Sequence, residues 1–448
     1  MGARPMSIPG DQQGIALTPD SVSEDAIAIA FTARYRDTMR YCCSSGRWYE
    51  WDGVRWKRDE EQRAFFYIRH IARAMSDGRK STCKANVAAG AERFARTDEA
   101  HTIIAQKWDS DPMLLGTPDG IVDLRDGKMR KPDPSAYITR LTGCAPANDV
   151  PDLWLDFLNE ATRGDQEMIG FLQRVCGYCL TGQTTEHALF FIYGPGGNGK
   201  SVFLNTLTYI LGEYATTAAM ETFQASKFTR HSTDLAMLQG ARGVFASETE
   251  AGSQWAEARV KQMTGGDPIT ARYMRQDNFT YTPQFKLIIV GNHAPSIGTV
   301  DDAMRRRFNI IPFINKPEAP DRGLEAALRK EAPQILAWMI RGALSWQQQG
   351  LGRPRAIIEA TDQYFAEQDT MAAWLGEQCE EHPSYCEKSS DLYASYKAFM
   401  VRMGEHPHTQ TSFSVEMQKR GWRRRVERDG SYFYGVRVKP GTTGYGHD

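Results

Sequence analysis

Residues 194–201 read Gly-Pro-Gly-Gly-Asn-Gly-Lys-Ser and follow the apolar run Ala188-Leu189-Phe190-Phe191-Ile192-Tyr193. A glycine-rich turn between a buried strand and a helix lets backbone N–H groups point at phosphate oxygens. Lys200 is spaced to reach β- and γ-phosphates, and the Ser201 hydroxyl to hold Mg²⁺. A helix over 202–211 would set its positive end beneath those phosphates. The chemistry implied by the loop alone is binding of a nucleoside triphosphate. Gly194, Gly196, Gly197, Asn198, Gly199, Lys200 and Ser201 form the nucleotide-binding set.

Such a loop needs an acidic partner to hold the metal and activate water. The apolar stretch 241–247 delivers Glu248 and Glu250 at its carboxyl end. At i and i+2 in extended chain they point the same way, so one can serve the metal and the other the lytic water. The order of the two stays open. A second apolar run, Leu287-Ile288-Ile289-Val290, presents Asn292, whose amide can bridge γ-phosphate and water. Arg305, Arg306 and Arg307 precede another apolar strand. Adjacent arginines suit an anion, and in a ring one of them can reach a neighbour's γ-phosphate.

The elements that hold these groups are legible from periodicity. The spacing predicts a helix over 25–35, short strands about Asp52-Gly53, and a basic amphipathic helix over 62–75. It also predicts a strand–turn–strand at 114–124, helices across 151–181, and one long helix over 323–349 stopped by Gly350-Leu351-Gly352-Arg353-Pro354. The chain has 448 residues, enough for several domains without disulfide staples. With 54 Lys and Arg against 55 Asp and Glu, global charge selects no partner. No apolar run reaches ~20 residues, so no membrane partner is expected. Eight cysteines are too few for a disulfide scaffold. The Cys176-x-x-Cys179 pair follows a helical stripe and reads as packing, so the chain reads as reduced and cytoplasmic.

The motif order resembles the superfamily 3 helicases, in the branch holding the poxvirus D5-like and P4-like phage and plasmid primase-helicases. The resemblance rests on Gly194–Ser201, the 234–242 segment, Ser247-Glu248-Thr249-Glu250, Lys261–Asp267, Gly291-Asn292-His293-Ala294-Pro295, and the arginines before Ile311-Pro312-Phe313. Trp51-Asp52-Gly53-Val54-Arg55-Trp56 and Gly120-Ile121-Val122-Asp123-Leu124 resemble a D5-like N-terminal domain, and 391–437 a winged helix. The implied fold class is α/β, an AAA+-type P-loop ATPase core flanked by those two units. It divides into a disordered leader at 1–24, the D5-like domain at 25–145, a helical connector at 146–185 and the ATPase core at 186–315. A helical extension at 316–369, the winged helix at 370–440 and a disordered tail at 441–448 follow. The N-terminal unit begins near residue 25, so primer synthesis is not expected from this chain, and a separate primase or polymerase is an open partner.

The resemblance implies a ring, commonly a hexamer, that moves 3′ to 5′ on single-stranded DNA and opens forks. The alternatives are an origin-melting or helicase-loading ATPase and a nucleotide-switched initiator. Arg306 and Arg307 fall on the family's arginine pair. Arg272, Tyr273 and Arg275 flank a hairpin turn expected at Gln276-Asp277-Asn278, a cation-and-aromatic set suited to strand tracking. Lys261 either joins that set or senses nucleotide at a subunit interface. In the C-terminal unit Arg423, Arg424 and Arg425 enter a hairpin closed at Asp429-Gly430 and suit phosphate contacts.

Overall fold

A computed structural model describes residues 22–225, 233–247, 254–275, 277–292, 295–297, 301–319, 321–404 and 407–440. Glu248, Glu250, Gln276, most of the 1–24 leader and the 441–448 tail lie outside the described residues.

The N-terminal unit starts with α1 (Glu24–Tyr35), whose first turn is capped by the Ser23 hydroxyl accepting from the Ala26 amide at 3.1 Å. Strands β1 (Met39–Cys42), β2 (Arg47–Trp51) and β3 (Trp56–Arg58) follow. Trp51 pairs with Trp56 across the Asp52-Gly53 turn, where the Asp52 carboxylate accepts from the Val54 and Arg55 amides at 2.9 Å each. Helices α2 (Arg63–Met75) and α3 (Ala85–Ala95) pack on α1 through Ile27, Phe31, Ile68, Ala72 and Ala91. Strand β4 (Thr102–Ile103) completes the sheet in the order β3-β2-β1-β4. A second meander joins β5 (Leu114–Thr117), β6 (Gly120–Asp123) and β7 (Lys128–Arg130).

Helices α4 (Asp152–Thr162) and α5 (Gln166–Leu180) lead into the central layer. There run β8 (Leu189–Tyr193), α6 (Lys200–Leu211), β9 (Ala215–Thr217), α7 (Thr233–Ala236), β10 (Gly243–Ser247), α8 (Glu257–Gly265), the hairpin β11 (Ile269–Arg272) and β12 (Asn278–Tyr281), β13 (Lys286–Gly291), α9 (Asp302–Arg307) and β14 (Phe308–Pro312). Five strands form one sheet, β14-β8-β13-β10-β9, and every neighbouring pair is parallel. Parallel strands covered on both faces read as continuous apolar runs. Their alternate residues divide accordingly. Phe190, Ile192, Phe245 and Ile288 enter one core with α5 and α6, while Leu189, Phe191, Val244 and Leu287 enter another with α8 and the hairpin.

The expected 323–349 helix is two: α10 (Leu324–Lys330) and α11 (Ala332–Gln349). Pro333 lies in the first turn of α11, where its missing N–H costs nothing, and its ring forbids continuation from α10. Glu331 at the break has a second use. Its carboxylate accepts from the Leu153 and Trp154 amides at 3.1 and 2.8 Å, capping α4, which begins at a proline. Helix α11 crosses α5 at two glycines. A β-carbon on Gly177 would strike the backbone of Ala343, and one on Gly342 the backbone of Gln173. After α12 (Arg355–Gln368) the chain forms α13 (Thr370–Gln378), β15 (Cys379–Lys388), α14 (Ser389–Arg402), α15 (Gln410–Lys419), β16 (Arg423–Glu427) and β17 (Gly430–Val438). Its antiparallel sheet has the order β15-β17-β16, around a core of Trp374, Tyr396, Phe413 and Phe433. No helix among the described residues is long and apolar enough to cross a membrane.

Candidate active site

The 194–199 loop leaves the carboxyl end of β8 and enters α6 through Gly199, which caps the helix at φ 84°. Gly194 has φ 153°, and a β-carbon there would meet the Phe313 carbonyl. The Asn198 amide donates to that same carbonyl, so the end of β14 braces the loop. Gly196 has open space around it. Lys200 is only 6% exposed, and its ammonium donates to the Gly194 carbonyl at 2.6 Å, the Pro195 carbonyl at 3.0 Å and Asn198 Oδ1 at 2.9 Å. Burial pushes the Lys200 pKa below its ordinary value. The ammonium is thus held by neutral carbonyls where anionic phosphate oxygens would bind it more strongly.

A cavity of about 450 Å³ opens beside the loop, lined by Phe157, Lys200, Ser201, Ser247, Asn292 and Asn315 among others. That volume suits a nucleotide. Register explains why distant residues meet there. Tyr193 pairs with Gly291 and with Pro312, and Ser247 with Val290, so all four strand ends finish at one edge. The loop, Ser247 and the exposed Asn292 lie at that edge, and Glu248 and Glu250 follow Ser247 in the sequence. The Ser201 side chain is exposed at the cavity, a hard oxygen donor in keeping with Mg²⁺.

The arginines stand elsewhere. They form the last turn of α9, a short helix capped by Asp301, whose carboxylate accepts from the Met304 amide at 2.7 Å. Helix α9 enters β14 at the sheet's opposite end, since Phe308 pairs with Leu189, the first residue of β8. Roughly 17 Å of strand therefore separates Arg307 from the level of the loop within one chain. The three arginines differ. Arg305 pairs with Asp362 at 3.1 Å. Arg307 is half-buried and donates to Thr264 Oγ1 at 3.2 Å and the Ala303 carbonyl at 2.8 Å. Arg306 is exposed, and among the described residues its side chain donates to the Asp302 carbonyl at 3.2 Å, forming no ion pair. Lys261, on α8, is ion-paired with Asp301 and so lies against α9.

The β11–β12 hairpin pairs Arg272 with Asn278, so Asn278 opens the second strand and the connection runs over 273–277. Arg272, Tyr273 and Arg275 are exposed near its tip, with Met274 77% exposed beside them. The Tyr273 ring stacks on Phe279 at 5.4 Å, and its hydroxyl donates to the Ala236 carbonyl at 3.1 Å. In the C-terminal unit Arg423, Arg424 and Arg425 lie on β16, an edge strand exposed along its whole length. Arg424 donates to Ser431 Oγ at 3.0 Å, and Arg425 sits 5.4 Å over the Tyr434 ring. The hairpin loop is Arg428-Asp429, one residue earlier than the Asp429-Gly430 turn expected, because Glu427 pairs directly with Gly430. Cys176 and Cys179 are fully buried on α5, and burial pushes the Cys179 thiol up to about 12.

Sequence reasoning missed two features. Phe157 on α4 packs its ring beneath Gly199, 2.6 Å from where a β-carbon would stand, and walls the cavity. An aromatic on an amphipathic helix gives no sign of that. Two buried cations, Lys286 and Arg242, close the C-terminal end of α5. The Lys286 ammonium donates to the Thr181 carbonyl, and the Arg242 guanidinium to the Leu180 and Leu114 carbonyls while covering the Tyr214 ring at 4.5 Å. Cations are favoured at a helix C-terminus, and a lysine opening an otherwise apolar strand was the available signal.

A glycine-rich loop between a central parallel strand and a helix, cradling a buried lysine, defines a P-loop core. Residues 28–163 match the family described as D5 N terminal like, and residues 192–307 match a family of unknown function, DUF5906. The chain is 26% identical over 294 residues to "Putative helicase L207/L206" of Acanthamoeba polyphaga mimivirus, covering 60% of this chain and 31% of that protein. It is 27% identical over 225 residues to "Putative helicase 121R" of Invertebrate iridescent virus 3, covering 46% and 23%. The chain thus spans about a third or less of these relatives. Among solved structures, the apo NrS-1 C-terminal region shares the fold at 12% identity, with a TM-score of 0.51, over 94% of this chain and all of that one. The chain thus carries a D5 N terminal like domain and a DUF5906 domain, and is distantly similar to viral proteins described as putative helicases.

Proposed function

We propose that this chain is an ATP-driven DNA helicase motor that works as a homo-oligomeric ring, of hexamer type, on single-stranded and forked DNA. The observation that carries the reading is the division of the site. The loop, Ser247 and Asn292 share one edge of the sheet, while the arginines of α9 occupy the other. A single chain therefore offers half of a hydrolytic site at each end, and head-to-tail neighbours join the halves.

Within the site Lys200 gives up its loop carbonyls for the β- and γ-phosphates, and loop amides hold the same oxygens. Ser201 and Glu248 would hold Mg²⁺, which supplies charge neutralisation on the phosphates when bound. Glu250 or Glu248 takes a proton from the attacking water, and the Asn292 amide orients that water against the γ-phosphate. Arg306 of a neighbouring subunit meets the charge developing in the transition state. Arg307 braces α9 against α8, and Lys261 fixes the same helix through Asp301. The strand order supports reading the core as AAA+-type, and the helix–strand–helix–helix–hairpin order at 370–438 supports reading that unit as a winged helix. Arg272, Tyr273 and Arg275 would track a single strand, moving 3′ to 5′ as the family resemblance suggests, and Arg423, Arg424 and Arg425 would hold duplex phosphates.

The test is ATP hydrolysis together with displacement on forked DNA of either polarity, with wild type and Lys200→Ala compared. Wild type should open a fork only with ATP, and Lys200→Ala should lose both activities by at least about 100-fold. Hydrolysis without displacement on any fork would overturn the helicase assignment in favour of a melting or loading ATPase. Normal hydrolysis by Lys200→Ala would overturn the site.

A further inference from the structure

We propose that the outward face of α2, remote in sequence from the ATPase core, is a second binding surface for single-stranded DNA. The choice of DNA as the polyanion rests on the motor reading above. Helix α2 buries Ala64, Ile68 and Ala72 against α1 and α3. Arg63, Phe66, Arg69, His70 and Arg73 fall within an arc of about 120° on the other side. Arg63 is already neutralised by Glu50 at 3.1 Å. Arg69 and Arg73 are exposed and form no ion pair among the described residues; they stand one turn apart, about 6 Å along the axis. Lys80 and Lys84, in the connection from α2 to α3, are also exposed. Residues 62–96 carry eight Arg and Lys against two acidic residues, in a chain whose net charge is −1.

Charge alone would describe a solvated face. The aromatics do not fit that description. Phe66 is 50% exposed on the same stripe, its ring against the His70 ring at 4.6 Å. An apolar ring in water among cations is what a stacked base covers, while arginines on either side take the backbone phosphates. Duplex DNA offers no free base face to Phe66, so the occupant is a single strand.

The experiment measures binding of a fluorescent oligothymidylate to the full-length chain by anisotropy across a salt series, without nucleotide. The variants are Arg69→Ala/Arg73→Ala and Phe66→Ala, and thermal melting checks that both stay folded. The double variant should bind more weakly, with the log–log salt slope reduced by about 1.4 for two lost phosphate contacts. Phe66→Ala should bind about 5- to 100-fold more weakly with the slope unchanged. DNA-independent ATP hydrolysis should be unaltered in both. Affinity and slope equal to wild type in the double variant would overturn the proposal. So would a Phe66→Ala chain of undiminished affinity whose arginine surface binds polyglutamate equally well, since that describes an acidic-protein site. Loss of DNA binding in these variants of a chain that hydrolyses no ATP would sink the motor reading and leave this surface in place.

Discussion

At Gly194 a side chain has nowhere to go. The Phe313 carbonyl and the Asn198 amide already fill the space a β-carbon would take, and φ is positive there. Gly196, two residues on, faces open space. The two glycines occupy equivalent-looking places in the sequence, yet their substitutions should separate. Gly194→Ala should lower the unfolding free energy by about 1–3 kcal/mol, as strain at a special backbone position does, and should weaken nucleotide binding. Gly196→Ala should melt within about 0.5 kcal/mol of wild type. Chemical denaturation of both variants checks this, and equal losses would refute the bracing role given to β14. The loop motif itself was plain in the sequence because its chemistry demands those residue types in that order. The bracing was not, since Phe313 lies 119 positions downstream of Gly194 and only the parallel register brings it there.

At the level of elements, the buried strands were readable because each is an unbroken apolar run, and α6 because it must follow the loop. The break at Pro333 was readable too, as a proline, but the 3.6-residue stripe ran straight through it. The crossing of α5 and α11 depends on Gly177 and Gly342 meeting backbone to backbone. Gly342 in a helix looks like a weakness in the sequence alone, and the close approach is its reason. Gly177→Ala should force the helices apart and destabilise by about 1–3 kcal/mol, read as a lowered melting temperature without change in helix content. A neutral result would mean the crossing is slack. The C-terminal end of α5 carries a different test. Burial pushes the Lys286 pKa down to about 7 from an ordinary 10.5. Between those values the unfolded chain holds a proton that the folded chain has released, so stability rises with pH and the cost is fully present below about 7. Relative to Lys286→Met, wild type should gain up to about 1.4 kcal/mol per pH unit as pH rises from 7 toward 10. Parallel denaturation profiles for the two proteins across that window would contradict it.

For the whole molecule, the loop and α9 stand at opposite ends of one rigid sheet. On the proposed ring, two kinds of inactive subunit should repair each other. A chain carrying Lys200→Ala still presents a sound Arg306, and a chain carrying Arg306→Ala still presents a sound loop. Each should be nearly silent alone. Mixed in equal amounts and paired at random, about a quarter of their junctions would unite an intact loop with an intact arginine. Activity should therefore reappear in the tube, in proportion to the product of the two mole fractions. Silence at every ratio would mean that no neighbour's arginine takes part. On the proposed ring, dilution should act as an inhibitor, because a subunit separated from its neighbours would carry both halves of a site and no whole one.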